Sequence, residues 1–345
     1  MRVGRGPLKG KSSGYHAADT TVVVLVCIPA SVGYYEERLS ILALCLASIV
    51  RHTDDQYDLM VIDNGSIRSV TNYLQNMARS GEIQHLVLNS RNLGLSGALN
   101  IALNAAPGRY IAFSNDDVFF HPGWLSAHLE VLNIFPEAGM VSGQLIATAD
   151  RQINITELAS QPQTTVAEFN IPDEWIEQFA ASTGLTLDQF LERPWARENR
   201  HTFLVNRNGV KSYAGMTGYS NVFRKDVLRE VSSFPFKTGM LAGDHTDIQF
   251  AHALREAGYV WLTTFDKMTE HLGNRLNAHW AEKLQRFGFG DVIDLAEAGL
   301  QNPTTRPGTA HRLNLANRAW RKVLRNEHSQ RLILGTLRKL ESLRY

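Results

Sequence analysis

Residues 109–118, Arg109-Tyr-Ile-Ala-Phe-Ser-Asn-Asp-Asp-Val118, decide the architecture. The stretch is apolar with β character and stops abruptly at Asn115, Asp116 and Asp117. Carboxylates are too costly to bury inside a sheet, so they belong at the strand's C-terminal rim, where open α/β sheets bind ligands. Paired acids there can hold a hard divalent cation, whose usual partner in such a crevice is a phosphate. An ordinary turn uses the same residue types, so the flanking sequence has to decide.

Thr21 to Ile28 is a β-rich run closed by Pro29, and Asp58 to Ile62 is a second, closed by Asp63-Asn64-Gly65-Ser66. Between them Leu39, Leu42, Ala43, Leu46, Ile49 and Val50 recur at helical spacing. A third strand, His85 to Leu88, leads through Asn92-Leu93-Gly94-Leu95-Ser96-Gly97 into a helix over about 98–106. This alternation predicts an α/β fold, a parallel sheet with helices on both faces.

In that order and spacing, Pro29, Asp63-Asn64-Gly65-Ser66, Asn92 to Asn100 and Asn115-Asp116-Asp117-Val118 resemble a family 2 glycosyltransferase of the GT-A fold. The resemblance continues in Gly218-Tyr-Ser-Asn-Val-Phe-Arg-Lys-Asp-Val-Leu228, Phe234-Pro-Phe, Gly243 to Tyr259 and His271-Leu-Gly-Asn274, and covers about residues 20–290. Two departures stand out. The acidic pair before the acceptor-side helix reads Asp244-His245 with Asp247 following, and the metal motif begins with Asn115.

The resemblance implies a nucleotide-diphospho-sugar transferase fold and an inverting, metal-dependent transfer from a nucleoside-diphosphate sugar, UDP or dTDP, to an acceptor hydroxyl. The enzyme would be a hexosyl- or deoxyhexosyltransferase working in glycan or glycoconjugate synthesis. It implies Asp117 and His271 as ligands of Mn2+ or Mg2+; imidazole suits Mn2+ better. It places Pro29, Asp63, Asn92, Gly94, Gly97, Asn115 and Asp116 along the donor. Asp63 can accept the imide N–H of uracil or thymine or close an Asx turn, roles that can coexist. Gly94 and Gly97 allow close backbone approach. Asp244 stands as general base or as helix cap, with Asp247 as the alternative base. A nucleotidyltransferase would also use rim acids, but its Gly-rich basic loop after the first strand is replaced here by Ala30-Ser-Val-Gly-Tyr-Tyr-Glu-Glu37. The altered pair at His245 keeps an inactive sugar-nucleotide-binding module in view.

Organisation follows. Residues 1–19 read as a flexible basic leader, 20–290 as the catalytic domain and 291–345 as a basic helical extension. Within the domain, about 20–147 bind nucleotide, about 148–212 form an insertion, and about 213–290 form the acceptor side. Trp175 and Trp195 in the insertion read as parts of a local mini-core or as sugar-stacking platforms. The chain of 345 residues carries a formal net charge of +1, so bulk electrostatics imply no strongly charged partner. From Arg306 onward, however, ten Lys or Arg face two Glu. That tail suits peripheral contact with an anionic membrane surface or packing on its own domain or a partner subunit. Cys27 and Cys45 form no metal pattern or disulfide framework, so a cytoplasmic location is the default.

Overall fold

The computed structural model describes residues 10, 12–146, 155–215, 217–231 and 252–292. Residues 1–9 and 11 of the basic leader lie outside them, as do Asp244, Asp247 and the tail beyond residue 292.

β1 (Thr20–Val26), β2 (Tyr57–Asp63), β3 (His85–Leu88) and β4 (Tyr110–Asn115) form a parallel block in the order β3-β2-β1-β4. Their near-continuous apolar runs fit strands covered on both faces. Val22, Val24 and Val26 enter one core with Leu59, Val61 and Ala112; Val23 enters the other with Met60, Ile62, Ile111 and Phe113. The helix α1 (Arg38–His52) is buried almost all round, because Leu42, Cys45, Leu46 and Ile49 face the first core while Ile41, Ala43 and Leu44 face a third. By contrast α2 (Arg68–Arg79) buries one stripe, Val70, Leu74 and Met77. The helix α3 (Gly94–Ala105) lays Ala98 and Ala102 on the opposite side of the sheet.

The run that opened the sequence reading splits after Asn115. A second short strand, β5 (Val118–Phe120), leaves the main sheet and pairs antiparallel with β12 (Thr269–His271). Beyond β4 the main sheet is mixed. β10 (Ser220–Arg224) inserts antiparallel between β4 and β6 (Ala138–Ser142), and β11 (Val260–Thr264) runs parallel to β6. The insertion is more than a rim loop. Its strands β7 (Thr164–Asn170), β8 (His201–Arg207) and β9 (Val210–Ala214) extend the sheet past β11 to ten strands. Its helices, including α6 (Asp173–Ser182), enclose Leu145, Ile171, Ile176, Ala180, Phe190 and Tyr213. Trp175 packs with Phe169 and Tyr213 in that mini-core, whereas Trp195 lies 39% exposed against Phe190.

Candidate functional site

Register brings the rim residues together. Val26 lies opposite Asp63, and Leu25 opposite Asn115, so the segments after β1, β2 and β4 leave the parallel block side by side. The Ile28 amide donates to Ser66 Oγ (3.0 Å), and the Ile67 amide donates to the Ile28 carbonyl (2.9 Å), tying the first two segments. Pro29, next to this tie, is exposed at the rim.

Asp63 is 2% exposed and builds the Asx turn: Oδ1 accepts from the Ser66 amide (2.9 Å) and Oδ2 from the Thr71 hydroxyl (2.7 Å). Asn64, a residue sequence reasoning passed over, organises the next segment. Its amide group donates to Asn92 Oδ1 (2.9 Å) and the Gly94 carbonyl (3.2 Å), while its Oδ1 accepts from the Leu93 amide (3.0 Å) and Asn89 (3.1 Å). Gly94 has φ +76°, the left-handed region that favours glycine. A Cβ on Gly97 would stand 3.0 Å from the Leu93 side chain, so its smallness serves local packing.

Asp116 and Asp117 are 5% and 9% exposed, and both meet Arg38, the first residue of α1. Arg38 Nη1 donates to Asp117 Oδ2 at 2.7 Å, and Nη2 donates to Asp116 Oδ1. Asn115 is half-buried beside them, its amide bonded to the Tyr219 carbonyl (2.9 Å). β5 and β12 complete the group. His271 pairs with Val118, and the Leu272 amide donates to the Asp117 carbonyl (2.7 Å), which sets His271 Nε2 3.4 Å from Asp117 Oδ2. The His271 ring lies 5.5 Å from both the Phe179 and the Tyr219 rings.

The His271 tautomer follows from the insertion. Ser182, at the end of α6, uses its single hydroxyl proton on the Phe179 carbonyl (2.6 Å). At 2.7 Å from His271 Nδ1 its oxygen must therefore accept, which puts a ring proton on Nδ1 and leaves Nε2 as the nitrogen that faces Asp117. Close packing holds this arrangement: Gly273 has φ +82°, and a Cβ there would meet the Ser182 carbonyl oxygen.

Burial lifts the Asp116 carboxyl to about 6, against the pull of Arg38 and with an added push from Asp117. Burial acts on Asp117 in the same direction, but His271 and Arg38 outweigh it and hold that carboxyl below the usual range. Asp117 is thus the more acidic member of the pair.

A cation fits these donors. Asp116 Oδ2 and Asp117 Oδ1 are buried with no hydrogen-bond partner among the described residues, and His271 Nε2 stands 3.4 Å from the other oxygen of Asp117. No cage of three or more His, Cys, Asp or Glu ligands occurs among the described residues. An ion here would therefore complete its shell with phosphate oxygens and water, as Mg2+ does in nucleotide sites.

The rim residues named from sequence do assemble around β1, β2 and β4, and His271 joins them through β12. Arg38, Ser182 and Phe179 were not expected there, while Asn64 and Tyr219 stood inside quoted motifs without a role of their own. Arg38 did leave a signal: a cation at the start of an otherwise apolar helix opposes the helix dipole and calls for buried acids. The Gly218 to Leu228 motif supplies Tyr219, β10 and α9 (Lys225–Glu230), so it borders the carboxylates.

Comparison with known proteins gives the same direction. The profile described as glycosyl transferase family 2 matches residues 30–231. An uncharacterized glycosyltransferase of Haemophilus influenzae is 28% identical over 104 residues, 30% of this chain and 30% of the relative. Another, of Rickettsia bellii, is 29% identical over 77 residues, 22% of this chain and 11% of the relative. The matches thus span less than a third of either relative's length. Among solved structures, GalNAc-T7 with UDP, GalNAc and Mn2+ aligns at TM-score 0.46 and 11% identity over 74% of this chain and 43% of its own. The mannosyltransferase PcManGT of Pyrobaculum calidifontis, in complex with GDP-Man and Mn2+, aligns at TM-score 0.43 and 16% identity over 94% and 88%. At those scores neither likeness bears on the site.

Proposed function

The chain belongs to glycosyl transferase family 2 and has the family's GT-A fold, and on that premise we propose that it moves a sugar from a nucleoside-diphosphate sugar to an acceptor hydroxyl with inversion. The observation that carries this reading is the pair of unpartnered carboxylate oxygens on Asp116 and Asp117 beside His271 Nε2, at the rim where parallel strands bind ligands.

Asp117 and His271 would hold a Mn2+ or Mg2+ ion, with Asp116 alongside; the ion supplies positive charge opposite the departing diphosphate. This chain's own groups do the rest. Asn64 shapes the turn from Asn92 to Gly94 so that α3 starts next to the donor. The Asp63 turn sets the floor for the base, UDP or dTDP in this proposal. Ser182 holds His271 Nδ1, so that Nε2 is the nitrogen presented to the ion. Asp244, or else Asp247, would take the acceptor hydroxyl's proton as its oxygen attacks the anomeric carbon from the face opposite the diphosphate.

The test is to incubate the full chain with Mn2+ and a panel of UDP-, dTDP- and GDP-sugars and measure release of free nucleoside diphosphate. Release that depends on metal and falls at least roughly 10²-fold in Asp117→Ala is expected, the size of one strong electrostatic contribution. Parental turnover of that variant in excess EDTA would defeat the reading.

A further inference from the structure

Arg38 is the least comfortable residue in the molecule unless it has a further partner. It is 7% exposed, stands at the N-terminus of a helix whose dipole disfavours a cation, and is spent on two carboxylates through Nη1 and Nη2. Its remaining fork donor, Nε, is buried with no acceptor among the described residues. A buried N–H left unpaired is costly, and the group that best satisfies a guanidinium edge next to a metal site is a phosphate oxygen. Three side chains bonded to one another therefore each carry an unpartnered buried atom: a donor on Arg38, and acceptors on Asp116 and Asp117. The acceptors suit a cation and the donor suits an anion.

The charges sharpen the point. Two carboxylates and one guanidinium leave about one negative charge, too little to attract a divalent ion strongly when the guanidinium sits beside it. A diphosphate arriving with the ion removes that excess. Arg38 cannot easily withdraw, because its loop is latched to the His271 loop. The Glu37 carboxylate accepts from the Leu276 amide (3.0 Å), Glu36 pairs with Arg275 (3.2 Å), and Asn274 donates to the Tyr34 carbonyl (3.2 Å).

We propose that Arg38 binds the diphosphate through Nε and, by offsetting the Asp116–Asp117 charge, makes cation binding depend on the nucleotide. This rests on the sugar-nucleotide reading of the site. Binding free energies are reciprocal, so the ion raises nucleotide affinity by the same factor by which the nucleotide raises ion affinity.

Calorimetric titration of Mn2+ alone, and of UDP, dTDP or GDP at saturating Mn2+, tests it on the full-length parent, Arg38→Gln and Arg38→Lys. The parent should bind Mn2+ at least tenfold more weakly alone than with the preferred nucleoside diphosphate. Arg38→Gln should bind Mn2+ alone at least tenfold more tightly than the parent, and the diphosphate with Mn2+ at least tenfold more weakly. Arg38→Lys keeps the charge and loses the fork, so it should retain weak Mn2+ binding and still lose diphosphate affinity. Parental affinities in a folded Arg38→Gln, or weaker Mn2+ binding in it, would overturn the proposal. Should that variant not fold, parental diphosphate affinity in Arg38→Lys overturns it instead. A parent that binds neither Mn2+ nor any nucleoside diphosphate overturns the sugar-nucleotide reading and this proposal together. Tight parental binding with unaffected Arg38 variants overturns this proposal alone.

Discussion

A hydroxyl two residues before a helix-ending glycine, Ser182, decides what His271 can do. Removing it in Ser182→Ala frees Nδ1 from its acceptor and lets the imidazole choose the other tautomer, whose Nε2–H cannot bind an ion. Partners of this kind typically contribute 10- to 100-fold to metal affinity. Mn2+ affinity in the presence of nucleoside diphosphate should fall by about tenfold or more in Ser182→Ala, with the 15N shifts of His271 moving to the opposite tautomer; unchanged shifts would remove Ser182 from this role. Residue identity was legible in sequence where chemistry and chain order coincide, as at Asp116, Asp117 and His271. It was illegible where a role is created by packing. Ser182 lies 89 positions from His271, and Arg38 lies 79 from Asp117. Of the two readings of Asp63, the structure shows the turn.

At the scale of elements, the strand-helix-strand order of the first 120 residues was readable because β1, β2 and β4 are apolar on both faces and α1 repeats at helical spacing. Several elements went unread, three of them for definite reasons. β5 and β12 are three residues each, too short for periodicity to register, and they pair across a wide gap in sequence. β7 has mostly exposed or half-buried side chains because it lies at the sheet's edge, so its segment looked like polar insertion. The β5–β12 pair holds Asp117 and His271, the proposed cation ligands, next to each other, and Gly273 follows it. Since a Cβ there would overlap the Ser182 carbonyl oxygen and the backbone is left-handed, Gly273→Ala should push the His271 loop away from α6. We expect a loss of at least about 1 kcal/mol in stability, together with weaker Mn2+ binding with nucleotide, measured by denaturant titration and calorimetry. A stable variant with parental metal affinity would show that the loop is not held by this contact.

Across the whole molecule, the burial of one titratable group sets an acid limit. His128 lies in α4 (Trp124–Ile134) with no solvent exposure; burial lowers its pKa from 6.5 to about 4, against the opposing bond of Nδ1 to the Trp124 carbonyl (2.6 Å). Because the folded-state value is depressed, the stabilisation is complete above about 6.5 and is lost as pH falls through about 4, roughly 3 kcal/mol in all. Urea midpoints measured across that window should drop in the parent and flatten in His128→Leu; parallel curves would assign the acid sensitivity elsewhere. The chain also divides into compact units Met1–Ala298 and Gly299–Tyr345. Truncation after Ala298 should therefore keep metal-dependent sugar-nucleotide hydrolysis while abolishing salt-sensitive binding to anionic vesicles, if the basic tail makes the membrane contact proposed for it. Full-length chain that ignores such vesicles at low salt would dismiss that contact. The place of β11 adds a temporal dimension. Among the described strands it is the last but one to leave the ribosome, yet it lies inside the sheet and joins β6 to β9. Until Val260–Thr264 is synthesised, β6 and β9 are unpaired edges, and β12 with its histidine has yet to emerge. A nascent chain thus holds its acids and turns long before it can assemble the site, and ribosomal stalling short of residue 260 would present two raw β-edges to chaperones and to other unfinished copies.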